Sequence, residues 1–332
     1  MGEEIECQVI VGGKLGNRKG VNVPGLKLNL PNLSEKDKKD IIDGIENGFD
    51  YIAASFVRKA QDVLDIRALL EKNGGSHIKI ISKIENQEGI DNFEEILKAS
   101  DGIMVARGDL SVEVPMEEVP ILQKQFIKRC SQAGKIVITA TQMLESMMSH
   151  PRPTRAEVSD VANAIFDKSS AIMLSGETAS GSYPVNCVET MNKIATATEA
   201  SIHYWEGFHD SERDFENIGY EYNINHSICE TAMNMNAKAI FTYTESGDTP
   251  RILSSFTPAC PIYAVTQNEK TYRQLALSFH RYRISCTDHT KPFLFPNPQL
   301  SHRRCIHSPR QLAVQSPHLL HHMCHTLPHH LT

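Results

Sequence analysis

Aromatic residues make up only 7% of this 332-residue chain, with a single Trp and nine Tyr. That leaves little material for the stacking platforms on which single-stranded nucleic acids are bound. None of the eight Cys forms a CxxC pair, so the spacing of a structural zinc site is missing and no disulfide framework is indicated. No apolar run approaches the roughly 18 residues of a membrane-spanning helix. Met1 is followed by Gly-Glu-Glu instead of a basic signal region, and the cytoplasm is the expected compartment.

What is present is an ordinary globular composition, 40% hydrophobic and 22% charged, in a chain long enough for a large core and two domains. Its charge is divided unevenly. Residues 1–278 carry 28 Lys+Arg against 39 Asp+Glu, whereas residues 279–332 carry six Lys+Arg against Asp288 alone. An acidic body argues against nucleic acid or an anionic membrane as the main partner. Any phosphate must then be bound by local groups acting against the global field.

Short apolar runs alternate with amphipathic ones. "LSEKDKKDIIDGIENG" (33–48) predicts a helix with Ser34 as N-cap, Asp37 three residues on, and Ile41, Ile42 and Ile45 along one side. The strands "DYIAASFV" (50–57), "IKIISKIE" (78–85), "DGIMVA" (101–106), "KIVITA" (135–140) and "AIMLSG" (171–176) follow. Helices are expected between them, among them 142–148 and 154–167, and a long one reaching Trp205. Continuously apolar strands alternating with helices imply a parallel sheet covered on both faces, either a barrel or a doubly wound sheet. The polar stretch 206–223 reads as a linker. A second α/β unit then runs through helix 225–236, strand "AKAIFTYT", helix 250–256, strand "CPIYAVT" and helix 268–278.

After Ser278 the pattern stops. The last 54 residues hold ten of the fifteen His, six Pro and three Cys, with no sustained period of 2 or 3.6. "HHMCH" (321–325) has the composition of a chelator but no surrounding fold signals. An aberrant tail without stable tertiary structure, such as wrong-frame translation would give, is the expectation for 279–332.

The most demanding chemistry lies in "KIENQEGIDNFEEILKASDGIMVARGDLSVEVP" (83–115). Lys83 and Glu85 stand at the end of one strand, Asp109 just past the next, and Thr141 just past the one after. In a parallel barrel, function gathers at the C-terminal ends of strands. Glu85 and Asp109 offer hard oxygen ligands to Mg²⁺, and Lys83 can neutralise a transferring phosphoryl group. The backbone from Ala106 to Asp109, turning into a short helix, can present N–H groups to an anion. A Lys–Glu ion pair at a strand end with an exposed Asp nearby explains the same spacing without chemistry. "RGD" (107–109) also matches an adhesion motif, but it directly follows an apolar strand.

Several long stretches resemble the pyruvate kinase family, and in that family's order: "ISKIENQEGI", "SDGIMVARGDLSVEVP", "ATQMLESM", "PRPTRAEVSDVANAI" and "IMLSGETASGSYP". "KGVNVPG" and "LSEKDKKDI" upstream and "CPIYAVTQNEKTYRQLALS" downstream are also similar, so the resemblance covers about residues 2 to 278 and has a bacterial flavour. It implies phosphoryl transfer from phosphoenolpyruvate to ADP, giving pyruvate and ATP. Residue by residue, it implies that Lys83 stabilises the transferring group and that Glu85 and Asp109 hold Mg²⁺ or Mn²⁺. It further implies that Ala106, Arg107, Gly108 and Asp109 bind substrate, with Thr141 near the site of enolate protonation. Lys19 would contact the nucleotide, with a solvated hinge lysine as the plainer alternative. Ser55 and Phe56 would lie beside the pocket, unless Phe56 is core.

The fold so implied is an incomplete (β/α)8 barrel of about five βα units plus a partial C-terminal α/β domain. Its expected divisions are a remnant of an inserted small β domain (1–18), the partial barrel (19–205), the partial regulatory domain (206–278) and the tail (279–332). The family's first three barrel strands are not found in this sequence, nor its K⁺ ligands nor an arginine that binds phosphoenolpyruvate, so low activity is expected of the chain as given. The loop "TESGDTP" (244–250) matches a loop that binds a phosphorylated effector in many members, through Thr244, Ser246, Gly247 and Thr249. A helix start capped by Asp248 is the simpler reading. The family also implies a homotetramer. Competing readings are another metal-dependent barrel acting on enolpyruvate or keto acids, and an inactive interaction fragment.

Overall fold

The computed structural model describes residues 7–13, 16, 33–209 and 220–278, together with the backbone of 283–286 and 313–314. Lys19 lies outside the described residues, as does the His321–His325 cluster. Five strands form one parallel sheet: β1 (Tyr51–Ala54), β2 (Lys79–Ile84), β3 (Gly102–Ala106), β4 (Ile136–Ala140) and β5 (Ala171–Met173). Each neighbours the next in sequence, and the two-residue strand Ala313–Val314 lies beside β1. A doubly wound sheet would reverse its strand order part-way across. This one does not, so its winding is that of a barrel wall, and the sheet among the described residues is open.

The helix Glu35–Glu46 begins where its cap predicts. Ser34 Oγ accepts from the Asp37 N–H at 3.2 Å, and Asp37 Oδ2 accepts from the Ser34 N–H at 2.9 Å. The helices Ala60–Lys72, Phe93–Ala99 and Val119–Gln132 cover the outer face of the sheet. Their apolar sides meet Ile52, Ile80, Ile84, Ile103, Val105 and Val137 in the largest core cluster. The alternate strand residues Tyr51, Ala53, Ile81, Met104, Ile138 and Ala140 form a second cluster on the other face. Both faces are therefore buried, as the continuous apolar runs require. Gly102 opens β3 because a Cβ there would stand 2.6 Å from Ile81 Cδ1 and 2.8 Å from the Ile136 carbonyl.

Two helix expectations change. Only a 3-10 turn, Glu145–Met148, forms within 142–148, because Thr141 and Gln142 both take left-handed backbone angles. The long helix expected to run to Trp205 breaks into Pro184–Ser201 and Tyr204–His209. Another helix, Tyr220–Asn234, begins five residues earlier than its periodicity suggests. Both ends of the stretch read as a linker are thus helical.

A second parallel sheet orders β6 (Ile240–Tyr243), β7 (Ile262–Thr266) and β8 (Arg283–Cys286). Its β8 falls within 279–332, where the sequence shows no period. This unit meets the first sheet at the N-terminal ends of the strands, away from the loops described next. Tyr51 Oη donates to the Gln274 carbonyl at 2.6 Å, and Arg273 Nε donates to Asp50 Oδ2 at 2.8 Å. Gln274 Nε2 donates to the His77 carbonyl at 2.8 Å.

Candidate active site

The parallel register decides which loops meet at the C-terminal edge. Ala54 pairs with Ser82, Ile84 with Val105, and Ala106 with Ala140. Ser55, Glu85, Arg107 and Thr141 therefore start adjacent loops on neighbouring strands. Lys83 shares a face with Ile81 by alternation, and it is 6% exposed. Its ammonium donates to Ser55 Oγ at 2.9 Å and lies 2.5 Å from Glu85 Oε1.

Glu85 is wholly buried. Its Oε2 accepts the Phe56 N–H at 2.5 Å, which the left-handed Phe56 backbone (φ 53°) delivers. Oε1 forms the ion pair with Lys83 and takes no other donor. Burial pushes the Glu85 carboxyl above its ordinary value; the Lys83 charge, its hydrogen bond and the Phe56 N–H oppose this, while Asp109 adds to it. Phe56 itself is about half exposed, so it is not a core residue.

Asp109 stands in the first turn of the helix Arg107–Glu113. Two carboxylates thus repel each other at the edge of the sheet, one of them wholly buried against the Lys83 ammonium. That donor chemistry fits a hard divalent cation, which takes oxygen ligands and one or two carboxylates. Among the described residues no three His, Cys, Asp or Glu gather into a metal cluster, so the remaining ligands of such an ion would come from substrate and water.

Thr141 Oγ1 accepts the Gly108 N–H at 2.7 Å and donates to the Ala140 carbonyl at 2.6 Å. The Gly108 amide, expected to face an anion, is thereby committed to Thr141. Arg107 is buried, and its guanidinium binds the Thr141 carbonyl and Asp160. An adhesion motif needs that arginine exposed, so the adhesion reading fails. Two further carboxylates that the motifs contained without a role hold the loop after Thr141. Glu177 accepts from Leu144 N at 3.1 Å, and Glu157 accepts from Ser146 N at 2.6 Å. Only their place in the quoted motifs hinted at them.

The loop Thr244–Thr249 is organised differently. Gly247 N donates to Thr244 Oγ1 at 2.8 Å, and Ser246 Oγ donates to Asp248 Oδ2 at 2.6 Å. The cap position of the helix Asp248–Ser255 is Gly247, at φ 84°, and not Asp248. Although burial opposes it, the Ser246 hydroxyl and the Arg251 charge hold the Asp248 carboxyl below its ordinary value.

Models of known families match most of the chain. The pyruvate kinase barrel domain matches residues 1–188, and the pyruvate kinase alpha/beta domain matches residues 223–295. The chain belongs to the pyruvate kinase family.

It is 55% identical over 280 residues to a pyruvate kinase of Sporosarcina psychrophila, covering 84% of this chain and 48% of that protein. Against pyruvate kinases of Geobacillus stearothermophilus and Clostridium perfringens the identities are 54% and 53%, each over 279 residues and 84% of this chain. Those matches cover 47% and 59% of the two relatives. The chain thus spans about half the length of the relatives it matches. The second family match runs through β8, so the pyruvate kinase likeness reaches beyond Ser278. Among the described residues, no helix is long and apolar enough to cross a membrane.

Proposed function

We propose that the C-terminal edge of β1–β4 is the phosphoryl-transfer site of a pyruvate kinase, acting on phosphoenolpyruvate and ADP to give pyruvate and ATP. The observation that carries this reading is the wholly buried Glu85 carboxylate, ion-paired to Lys83 at 2.5 Å and set beside the Asp109 charge at the strand ends. Two carboxylates beside the single Lys83 ammonium leave an excess of negative charge at this edge, which a cation would offset. Mg²⁺ or Mn²⁺ held by Glu85 and Asp109 would do so. When bound, such an ion neutralises phosphate oxygens and orients the substrate.

The rest is the work of side chains. Lys83 offers its ammonium to the phosphoryl group as the bond to the enolate oxygen breaks and a bond to the terminal ADP oxygen forms. The enolate then takes a proton at its methylene carbon and becomes pyruvate. Thr141, fixed between Gly108 and Ala140, orients that half of the substrate, while Ala106 and Gly108 let backbone approach it. Lys19 remains the nucleotide contact of this reading. A homotetramer and a phosphorylated effector at Thr244–Thr249 belong to it as well, although the Thr244 and Ser246 hydroxyls already bond within that loop.

The test is a coupled assay with Mg²⁺, K⁺, ADP and phosphoenolpyruvate. It is run on this chain alone and on a chimera in which the Sporosarcina psychrophila relative supplies the half this chain does not span. The chimera is expected to turn over and the chain alone to stay near background. A chimera that folds and binds Mn²⁺ yet shows no turnover would contradict the reading.

A further inference from the structure

We propose that Arg107 is a positioning residue for Thr141, gripping the strained turn after β4 and so holding the Thr141 hydroxyl against Gly108. The inference rests on the phosphoryl-transfer reading, in which Thr141 serves the substrate. Arg107 is the first residue after β3 and Thr141 the first after β4, and the Ala106–Ala140 pairing sets them side by side. From there the guanidinium reaches both carbonyls that flank the turn. Nε donates to Ala140 O at 3.3 Å and to Thr141 O at 3.2 Å, and Nη2 donates to Thr141 O at 2.6 Å.

The far side of the fork is anchored as well. Nη1 donates to Asp160 Oδ1 at 2.7 Å and to Gln123 Oε1 at 3.4 Å, while Nη2 lies 2.9 Å from Met143 Sδ. All three nitrogens are engaged by protein, so the guanidinium is committed to the fold and not held out to a ligand. What it grips is unusual: Thr141 at φ 70° and Gln142 at φ 55° are consecutive non-glycine residues in the left-handed region. A β-branched residue rarely stays there unless its surroundings hold it. A planar fork can bind two carbonyls and a carboxylate at once; an ammonium cannot reproduce that geometry.

The experiment is backbone NMR on the full 332-residue chain, comparing wild type with Arg107→Met, Arg107→Lys and Asp160→Asn. It reads the exchange rate of the Gly108 amide and the Thr141 backbone shifts that report a left-handed φ. Both Arg107 variants are expected to speed Gly108 exchange by about tenfold or more and to move Thr141 out of the left-handed region. The buried strand amides of Ile81 and Met104 should keep their rates. Free guanidinium ion below denaturing concentration should restore the Thr141 shifts of Arg107→Met.

Asp160→Asn leaves the guanidinium in place without its counter-charge and should give the same changes in smaller measure. It decides the matter if Arg107→Met does not fold. Unchanged Gly108 and Thr141 signals in a folded variant would overturn the proposal. So would exchange that rises equally at Gly108, Ile81 and Met104, since that marks general destabilisation. No readout here depends on turnover, so this proposal and the kinase reading can fail separately.

Discussion

The loops after β2 and β6 occupy equivalent places, each following a parallel strand and leading into a helix, yet they treat charge in opposite ways. After β2, Lys83 and Glu85 are buried as an ion pair beside the Asp109 charge. After β6, Ser246, Asp248 and Arg251 bind one another near the surface, Thr244 takes the Gly247 N–H, and Asp248 is mostly exposed. One loop buries charge with a carboxylate in excess, and the other is closed upon itself. Topology alone therefore does not make a site. The buried excess of charge does.

The sharpest way to break this comparison is at Lys83. In the chimera described above, Lys83→Met should lower kcat by about 10³-fold while leaving the KM for phosphoenolpyruvate nearly unchanged, if its charge serves the transition state as proposed. An unchanged kcat with a raised KM would assign Lys83 to ground-state binding instead. Core stability gives a middle-sized contrast. Ile81 is fully buried behind Lys83, so Ile81→Ala should cost about 2–5 kcal/mol by denaturant unfolding.

Acidity sharpens the comparison further. On the proposed reading a cation binds the ionised Glu85, whose carboxyl is raised above 4.5. Mn²⁺ affinity should therefore be full above that raised value and weaken by about tenfold for each pH unit below it. Titration by electron paramagnetic resonance checks this, and an affinity flat down to pH 4.5 would remove Glu85 as a ligand. The smallest effect is expected in the second loop, where Asp248→Ala should cost under about 1 kcal/mol because its ion pair with Arg251 is exposed on the carboxylate side.

The strands were legible because both of their faces are buried, which writes an unbroken apolar run into the sequence. Ser34 and Asp37 announced their helix by the spacing of a capping box. The loop after β4 was not legible in the same way. "TQMLESM" has helical composition, but the Arg107 guanidinium and the Glu177 and Glu157 carboxylates hold it in a turn from far along the chain. Likewise β8, four residues at the edge of its sheet, carries too few positions for any period to show. Among the site residues, Lys83, Glu85 and Asp109 stood out because charge at the end of an apolar run is costly. The anchoring role of Arg107 was hidden, since its partners Asp160 and Gln123 become neighbours only after folding.

The central claim is that the buried Glu85 carboxylate marks a divalent-cation site shared with Asp109. Mn²⁺ titration of the full chain at neutral pH, monitored by electron paramagnetic resonance, tests it most directly. One bound ion is expected, weakened at least about tenfold in Glu85→Gln and in Asp109→Asn and unaffected in Asp248→Asn. Undiminished binding in a folded Glu85→Gln variant would contradict the account.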